Sequence, residues 1–224
     1  MGCYITFDGG SGTGKGMVIT WFEEHLKKQQ KRVVVVKDNR LDPLRDYGAM
    51  MLGWCEANGV DRQTFLLPLF VAGGKIVEEK LDELLRQHDF LLRDRSFITS
   101  LAYQPASGCF SAEQLWDLFV RHMGFRVPDL AVIVDADINV ALERINKRKQ
   151  QDIGLGGKMS GGLDKRQRIR EMFLALPEKL DGQLHALVVQ NHDIPVDKPH
   201  AVRRHSEKIC QQILRSLSSR GISL

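Results

Sequence analysis

The sequence predicts a doubly wound α/β domain in which helices cover both faces of a five-stranded parallel sheet. Short apolar runs rich in β-branched residues recur along the chain, and amphipathic helical patterns separate them. Apart from the first, these runs lack the polar alternation of a half-exposed strand, which is typical of strands covered on both faces. Parallel strands of this kind need helical crossovers, and their ligands bind at the carboxyl ends of the strands.

The elements follow one another in a regular order. The predicted strands are residues 4–7, 33–36, 90–92, 130–134 and 186–189. An amphipathic helix is predicted over residues 17–30, and helical spacing of apolar residues continues over residues 76–85. Ser111 to Gln114 reads as a capping box that opens a further helix, and Asp137 to Asn139 can cap the helix after the fourth strand.

Composition narrows the class of protein. The 224 residues carry 32 Lys and Arg against 28 Asp and Glu, a net charge of +4, and 43% are hydrophobic. These values are typical of a globular domain and exclude a disordered tail or a fibrous repeat. No apolar run approaches the roughly 20 residues of a membrane-spanning helix. A net charge of this size gives no reason to expect that the protein binds nucleic acid. We expect one domain over residues 1–224, with neither membrane nor nucleic acid as partner.

The spacing of the cysteines indicates the kind of cellular compartment in which the protein works. Cys3, Cys55, Cys109 and Cys210 are scattered along the chain and show no paired metal-ligand spacing. The N-terminus shows no signal-peptide pattern, because a charged turn sequence follows the first short apolar stretch. Both observations favour a reducing, cytoplasmic location.

One segment interrupts the alternation of strands and helices. Residues 150–163 are rich in glycine and poor in apolar residues, and basic helical segments flank them. Such a composition is typical of a solvated loop, and equally of a mobile lid that closes over a ligand. The predicted lid, including its flanks, covers about residues 148–165.

The strongest motif follows the first strand. Residues 9–16 read Gly-Gly-Ser-Gly-Thr-Gly-Lys-Gly, between an apolar strand that ends in Asp8 and an amphipathic helix. Glycines let the backbone curl so that successive N–H groups point at phosphate oxygens, and the helix N-terminus adds to that field. We expect nucleotide phosphates to bind along this phosphate loop, with the Lys15 ammonium at the β- and γ-phosphates. Its residues are Gly9, Gly10, Ser11, Gly12, Thr13, Gly14, Lys15 and Gly16.

The residue after the lysine departs from the motif. The pattern has Ser or Thr there, whose hydroxyl ligates Mg²⁺, and this chain has Gly16. Ser11 and Thr13 carry hydroxyls at other places in the loop and need not substitute. Either phosphates, water and carboxylates hold the Mg²⁺ alone, or the site binds the metal weakly. The loop therefore indicates phosphate binding more firmly than fast turnover.

A second polar group, Asp94-Arg95, follows the third strand. A carboxylate at this strand end can hold Mg²⁺ through water, and a guanidinium can clamp an acceptor phosphate with two hydrogen bonds. As a bare pair, the two residues favour a strand-end salt bridge over a phosphate clamp. A larger set of residues is needed to decide between these interpretations.

Four stretches together resemble the thymidylate kinase family of P-loop nucleoside monophosphate kinases. The phosphate loop is the first, and Asp94-Arg95 with residues 100–104, Ser-Leu-Ala-Tyr-Gln, is the second. The third is Pro-Asp-Leu at residues 128–130 with the strand and helix that follow, and the fourth is residues 168–176. These stretches occur in the family's order over residues 1 to about 180.

The resemblance implies a P-loop NTPase fold, a homodimer, and transfer of the γ-phosphate of ATP to a deoxynucleoside monophosphate, with Mg²⁺ and with dTMP as the first candidate acceptor. Lys15 would hold the ATP phosphates, Asp94 would organise Mg²⁺, and Arg95 would grip the acceptor phosphate. Other residues implied at the acceptor site are Asp8, Arg40, Phe70, Gly74, Ser100, Tyr103, Gln104 and Phe173. Basic candidates for closing on the transferring phosphoryl group are Arg148, Lys158, Arg166 and Arg168.

The chain also departs from the family where the family reads the base and sugar. Gly73-Gly74 stands where the family has an acidic or amide residue and then a base-contacting arginine, and Ser11 stands at a usually acidic position. Arg40 or Arg45 is a candidate for the family's phosphate-contacting arginine. Two other functions therefore stay open: a P-loop kinase for another pyrimidine nucleotide or a nucleoside, and a nucleotide-binding module with weak catalysis.

Overall fold

Five parallel strands form one sheet in the order β2-β3-β1-β4-β5, so the first strand lies in the centre. The fold is that of a computed structural model, which describes residues 2–37, 44–59, 62–108, 110–151, 162–191 and 199–222. The strands are β1 Cys3–Asp8, β2 Val33–Lys37, β3 Phe90–Asp94, β4 Leu130–Asp135 and β5 Ala186–Gln190. The predicted parallel α/β fold, and each of its five strands, is confirmed.

Helices connect consecutive strands. They are α1 Lys15–Lys28, α2 Arg45–Asn58, α3 Arg62–Gln87, α4 Phe97–Tyr103, α5 Ala112–Trp116, α6 Ile138–Gln151, α7 Leu163–Lys179 and α8 Pro199–Ser218. A 3-10 turn at Pro105–Ser107 follows α4, and a π-helical turn at Asp117–His122 extends α5. Within the described residues, no helix is long and apolar enough to cross a membrane.

The helix caps follow the sequence signals closely. Ser111 accepts a hydrogen bond from the backbone N–H of Gln114, and the Gln114 side chain accepts one from the Ser111 N–H, which confirms the capping box. Asp137 accepts from the N–H of Asn139 at 2.9 Å before α6. These caps satisfy backbone donors that have no partner inside the helix.

Two helix boundaries differ from the expectation for physical reasons. Helix α1 begins at Lys15 rather than residue 17, because Gly14 adopts a left-handed conformation with φ 85° and forms the helix N-cap. It ends at Lys28, since Gln30 turns to a φ of 60°. Helix α3 extends over 26 residues, of which the sequence pattern predicted only the second half.

Each face of the sheet has its own apolar core. On one face, β1 residues such as Ile5 and Phe7 pack on α1 and α8, where Phe22 and Ile213 are fully buried. On the other face lie α3, α4 and α7, with Leu101 of α4 among the buried residues. Burial of each such side chain contributes on the order of 1.5–3 kcal/mol, which holds the loops at the strand ends in place.

A buried ion pair fixes α3 against the sheet. Arg93 of β3 is fully buried and pairs with Glu78 of α3, and it also donates to the Tyr4 hydroxyl at 3.0 Å. The second oxygen of Glu78 accepts from the backbone N–H of Arg126 at 2.9 Å. Both charges therefore have hydrogen-bonding partners in the interior, which a buried pair requires. Arg93 directly precedes Asp94, so this pair also anchors the end of the strand that carries the acceptor residues.

Candidate active site

The phosphate loop connects β1 to α1 and packs against the backbone of its neighbours. Gly9 and Gly12 have φ values of 137° and 87°. A Cβ atom would lie 2.3 Å from the carbonyl oxygen of Val134 at Gly9, and 2.3 Å from that of Ala141 at Gly12. Only glycine satisfies both the conformation and the close approach. The curl of the loop is therefore set by backbone contacts with β4 and α6.

The Lys15 side chain lies inside this curl. Its ammonium donates to the carbonyl oxygens of Gly9 at 2.9 Å and Gly10 at 2.7 Å, and the residue is only 7% exposed. A cation held at this point faces the place where the loop can bind phosphate oxygens. The expected contact of Lys15 with the β- and γ-phosphates stays a prediction.

The hydroxyl groups of the loop bear on metal binding. Thr13 is 5% exposed and donates its hydroxyl to the Gly10 carbonyl at 3.1 Å, which supports the loop itself. Gly16 offers no hydroxyl, and a Cβ atom there would meet nothing within 4 Å. Among the described residues, no cluster of three or more His, Cys, Asp or Glu could hold a metal. These donors fit an Mg²⁺ that would be held mainly by nucleotide phosphates and water, and the half-buried Asp94 stays the predicted protein residue for it.

The acceptor-side arginine lies next to the loop. Arg95 follows β3 with φ 70°, and its backbone N–H donates to the carbonyl of Phe7 at 3.0 Å. The Arg95 guanidinium Nη1 lies 3.5 Å from the Gly9 carbonyl oxygen. The same carbonyl accepts from Lys15, so cations from two strand ends meet at one point of the loop. Asp94 pairs in register with Phe7 at the end of β3.

Asp8 has a different environment from the one expected for it. Its carboxylate is fully buried and accepts from the Ser96 N–H at 3.0 Å, the Ser96 hydroxyl at 3.0 Å and the Thr99 hydroxyl at 2.7 Å. These donors occupy both oxygens at the start of α4. The expectation that Asp8 contacts the acceptor is therefore corrected: Asp8 holds the turn between Arg95 and α4 in place.

Helix α4 carries two of the expected acceptor residues, and a third, Gln104, forms its C-cap. Ser100 and Tyr103 are partly exposed, and the Tyr103 ring lies edge-on to Phe173 of α7 with 6.0 Å between centroids. Gln104 is 2% exposed, and within the described part of the chain its Oε1 atom has no hydrogen-bond partner. Tyr103 and Phe173 lie together, and Gln104 brings an unsatisfied acceptor atom to the same region.

A cavity open to solvent lies between the phosphate loop, the end of β4 and helix α7, with about 530 Å³ of empty space when its open mouth is included. Ser11, Tyr103 and Phe173 line it, as do Arg166 and Arg170. Arg168 is exposed and does not line the cavity, so its expected role in closing on the phosphoryl group stays a prediction. Residues 166, 169, 170 and 173 share one face of α7, and this spacing explains which arginines point inward.

Arg170 is a cavity residue that the sequence analysis did not single out. Its Nε and Nη2 atoms donate to the two carboxylate oxygens of Asp135 at 2.8 Å each. Donation to the Asp135 carboxylate raises the pKa of the Arg170 guanidinium above its ordinary value, and the side chain stays charged. Helical spacing from Arg166 was a signal that could have identified it.

Gly74 is packed against an aromatic ring. A Cβ atom at Gly74 would lie 3.0 Å and 3.1 Å from two carbon atoms of the Phe125 ring. Phe125 is 4% exposed and packs edge-on to Phe97 at 5.7 Å and to Phe119 at 5.0 Å. The volume beside Gly74 is therefore filled by an apolar ring, a contact that no sequence pattern predicted.

Four of the expected site residues lie wholly or partly outside the described part of the chain. Arg40 and Lys158 lie outside the described residues, and so do residues 152–161 of the predicted lid. The backbone of Phe70 belongs to α3 and that of Arg148 to α6, while their side chains lie outside the described part.

The described cysteines offer no nucleophile. Cys3, Cys55 and Cys210 are buried, free thiols. Burial raises the pKa of Cys3 to about 12 and that of Cys210 to about 11, so both thiols stay protonated near neutral pH. Neither supplies the thiolate that covalent chemistry needs.

The fold and the loop define a P-loop nucleotide-binding protein of the α/β class. A family model described as thymidylate kinase matches residues 7–196. The chain therefore belongs to the thymidylate kinase family, and the expected enzyme class, a nucleoside monophosphate kinase, is confirmed.

Two bacterial proteins illustrate the similarity. The chain is 28% identical to a thymidylate kinase of Pelobacter propionicus over 218 residues, which cover 96% of this chain and 95% of that protein. It is 25% identical to a thymidylate kinase of Leuconostoc mesenteroides over 182 residues, 81% of this chain and 84% of that protein. The similarity therefore extends over nearly whole chains, beyond the phosphate loop.

Proposed function

We propose that this protein transfers the γ-phosphoryl group of ATP to dTMP and releases ADP and dTDP. One observation carries the proposal: the Lys15 ammonium and the Arg95 guanidinium approach the same Gly9 carbonyl, at 2.9 Å and 3.5 Å. Lys15 belongs to the ATP-binding loop, and Arg95 follows the strand on the acceptor side. Two anions bound by these cations would meet end to end, as phosphoryl transfer requires.

In the reaction, an oxygen of the acceptor phosphate attacks the γ-phosphorus, and the bond to the β–γ bridging oxygen breaks. Lys15 and the loop N–H groups stabilise the charge on the β- and γ-phosphates, and Arg95 orients the attacking phosphate. Mg²⁺, when bound, neutralises charge on the transferring group, and Asp94 is the residue proposed to hold it through water. Arg166 is the described residue of α7 that we propose to reach the transferring phosphoryl group.

A coupled ADP-release assay tests the proposal. The purified protein is given ATP, Mg²⁺ and dTMP, with a parallel sample that lacks dTMP. We expect ADP release that depends on dTMP and that Lys15→Met abolishes. ADP release that is equal with and without dTMP would contradict the proposal. ATP binding without any transfer would favour a nucleotide-binding module, which Gly16 motivates.

A second candidate is a kinase for another pyrimidine nucleotide or a nucleoside. The Phe125 ring beside Gly74 favours it, because no polar side chain at position 74 can hydrogen-bond the base. We test it with dTMP, dUMP, dCMP and thymidine at matched concentration. Faster turnover of dCMP or thymidine than of dTMP would replace the first proposal by the second.

We also propose a homodimer formed through α2. Tyr47, Met50 and Trp54 are 60%, 64% and 50% exposed, and their spacing of three and four residues places them on one helical stripe. Light scattering on the native chain should give twice the chain mass of 25.4 kDa. Trp54→Glu should give the monomer mass, whereas a monomeric native chain would refute the dimer.

The whole chain, residues 1–224, is proposed to act as one cytoplasmic domain with a lid over about residues 148–165. Helices α6 and α7, which flank those residues, both contribute to the cavity wall, through Leu142 and Arg166 for example. The free thiols of the described cysteines suit a reducing compartment. We expect nucleic acid to be neither substrate nor partner. Limited proteolysis tests the lid: ATP with dTMP should protect residues 148–165 from cleavage.

A further inference from the structure

Asn191 lies directly beneath the phosphate loop, although it is far from the loop in sequence. It follows β5, is fully buried, and donates its backbone N–H to the Asp135 carbonyl at 2.7 Å. Its side-chain amide donates to the carbonyl oxygen of Thr13 at 2.7 Å. A buried amide is costly unless its hydrogen bonds are made, so this contact is a built part of the loop.

The bond to Thr13 controls the direction of a phosphate-binding group. The C=O of Thr13 and the N–H of Gly14 belong to one trans peptide plane and point in opposite directions. When Asn191 holds the Thr13 carbonyl, the Gly14 N–H is turned away from Asn191. Gly14 has φ 85°, and a Cβ atom there would lie 2.2 Å from the Asn191 amide nitrogen. Glycine at position 14 therefore makes room for this amide.

A histidine of α8 fixes which way the Asn191 amide faces. The Asn191 Oδ1 atom lies 3.2 Å from His205 Nε2. Because the amide nitrogen donates to Thr13, the oxygen must accept, and Nε2 of His205 must carry the proton. The His205 ring is itself packed edge-on to Trp21 of α1, with 6.0 Å between centroids. The orientation of the amide is thus set from outside the loop.

Arg144 of α6 reinforces the same carbonyls. Its Nη1 atom lies 3.5 Å from the Gly12 carbonyl oxygen and 3.4 Å from those of Thr13 and Asn191. These contacts are longer than the Asn191 bond, and so weaker. The short amide bond is therefore the contact most able to fix the peptide between Thr13 and Gly14.

We infer that Asn191, oriented by His205, is a positioning residue that presets the phosphate loop for ATP. This inference rests on the proposed function and adds a determinant that acts on ATP and leaves the acceptor site unaffected. Loss of the amide bond frees the Thr13–Gly14 peptide to rotate, so ATP must then reorder it on binding. The acceptor residues have other partners: the Arg95 guanidinium lies against the Gly9 carbonyl, and the Tyr103 ring packs on Phe173.

The test compares uncharged variants, so that no new charge acts on ATP. Asn191→Leu keeps the approximate size and removes the amide, and His205→Leu removes the donor to it. His205→Gln keeps an N–H donor. Gln190→Leu, at the exposed neighbouring position, is the matched control. Calorimetry measures the dissociation constant of ATP and, separately, that of dTMP for each full-length protein.

We expect Asn191→Leu to weaken ATP binding about tenfold and His205→Leu about threefold, corresponding to one hydrogen bond and a partial one. Binding of dTMP should stay within twofold, and His205→Gln and Gln190→Leu should bind ATP as the native chain does. If Asn191→Leu does not fold, the two His205 variants decide. His205→Leu must weaken ATP binding, and His205→Gln must bind ATP as the native chain does.

Unchanged ATP binding in Asn191→Leu and His205→Leu, or an equal loss of ATP and dTMP binding, would overturn the inference. A native chain that binds ATP but transfers no phosphoryl group would overturn the proposed function and leave the positioning role intact. Calorimetry of the variants and the ADP-release assay of the native chain therefore distinguish the two failures.

Discussion

The two sides of the phosphate loop are held by different kinds of contact. On the side of β4 and α6, the backbone of the loop packs directly on other backbone: added Cβ atoms at Gly9 and Gly12 would lie 2.3 Å from carbonyl oxygens, and the Arg144 side chain adds only longer contacts of 3.4–3.5 Å. On the side of β3, the contacts come from side chains such as Arg95, whose guanidinium lies 3.5 Å from Gly9. Backbone contacts tolerate no substitution, whereas side-chain contacts can be exchanged.

This difference separates closely packed positions of the loop from positions that can change. On the ATP side, a Cβ atom has no space at Gly9, Gly12 and Gly14, whereas it would meet nothing at Gly16. On the acceptor side, Gly74 stands where the resemblance implies a base-contacting arginine, and the Phe125 ring fills the neighbouring volume. We expect changes on the ATP side to affect turnover with any acceptor, and changes on the acceptor side to affect selectivity and acceptor affinity.

The largest effect is expected for Lys15→Met. The ammonium stabilises charge that develops on the phosphates, and Met keeps most of the side-chain volume without the charge. We predict that kcat falls about 10³-fold with every acceptor, in proportion to the loss of a preorganised cation. Steady-state ADP release measures it, and a thermal melt close to that of the native chain serves as the control. A fall with dTMP alone would contradict the assignment of Lys15 to the ATP side.

Arg95→Asn should act on the acceptor side alone. Asn tolerates the left-handed conformation at this position, so the change removes the guanidinium without adding backbone strain. We predict a rise of about 10²-fold in KM for dTMP, the loss of a two-pronged phosphate contact. KM for ATP should change by less than about threefold. Arg95→Lys keeps the positive charge but cannot make the two-pronged contact, so its KM for dTMP should lie between those of the native chain and Arg95→Asn. Equal rises in both KM values would remove the distinction between the two sides.

Selectivity between dTMP and dCMP should change when a side chain that can form hydrogen bonds is placed at position 74. Gly74→Arg alone crowds the Phe125 ring, whereas Gly74→Arg with Phe125→Leu creates space for a hydrogen-bonding side chain. We predict that the double variant raises the ratio of kcat/KM for dTMP over dCMP about tenfold, as one added hydrogen bond allows. Phe125→Leu alone is the control. A native chain that already rejects dCMP by 10⁴-fold would show that other residues read the base.

The smallest effect is expected at Gly16. A Cβ atom fits there without contact, so Gly16→Ser adds a hydroxyl next to Lys15. We predict that the Mg²⁺ concentration for half-maximal rate falls about threefold, because a hydroxyl is the ligand that the motif usually supplies. Gly16→Ala is the matched control, because it raises the helix propensity as Gly16→Ser does but adds no hydroxyl that could ligate Mg²⁺. Equal behaviour of Ser and Ala would refute a metal-binding role for this position.

The sequence predicted what depends on local pattern. Buried apolar runs predicted every strand, and the strand–loop–helix context predicted the phosphate loop. Helix α2 was not predicted, because its exposed Met50 and Trp54 blur the apolar spacing that marks a helix. The start of α1 was misplaced by two residues, since a glycine N-cap gives no side-chain signal.

Contacts between distant residues could not be predicted in the same way. Asn191 and Thr13 are 178 positions apart, and Arg170 and Asp135 are 35 apart, so only the folded sheet brings each pair together. The Phe125 ring beside Gly74 is likewise a tertiary contact. Asp8 shows the opposite error: its sequence position suggested a ligand contact, while the fold buries its carboxylate against Ser96 and Thr99.

One binding measurement tests the central claim most directly, that Lys15 and Arg95 bring two phosphates together at the Gly9 carbonyl. The ligand is adenosine joined to thymidine through a chain of phosphates, which spans both sides of the loop at once. We predict that the native chain binds it far more tightly than ATP or dTMP, and that Lys15→Met and Arg95→Asn each weaken it at least tenfold. Binding no tighter than that of ATP, or insensitivity to either variant, would contradict the account.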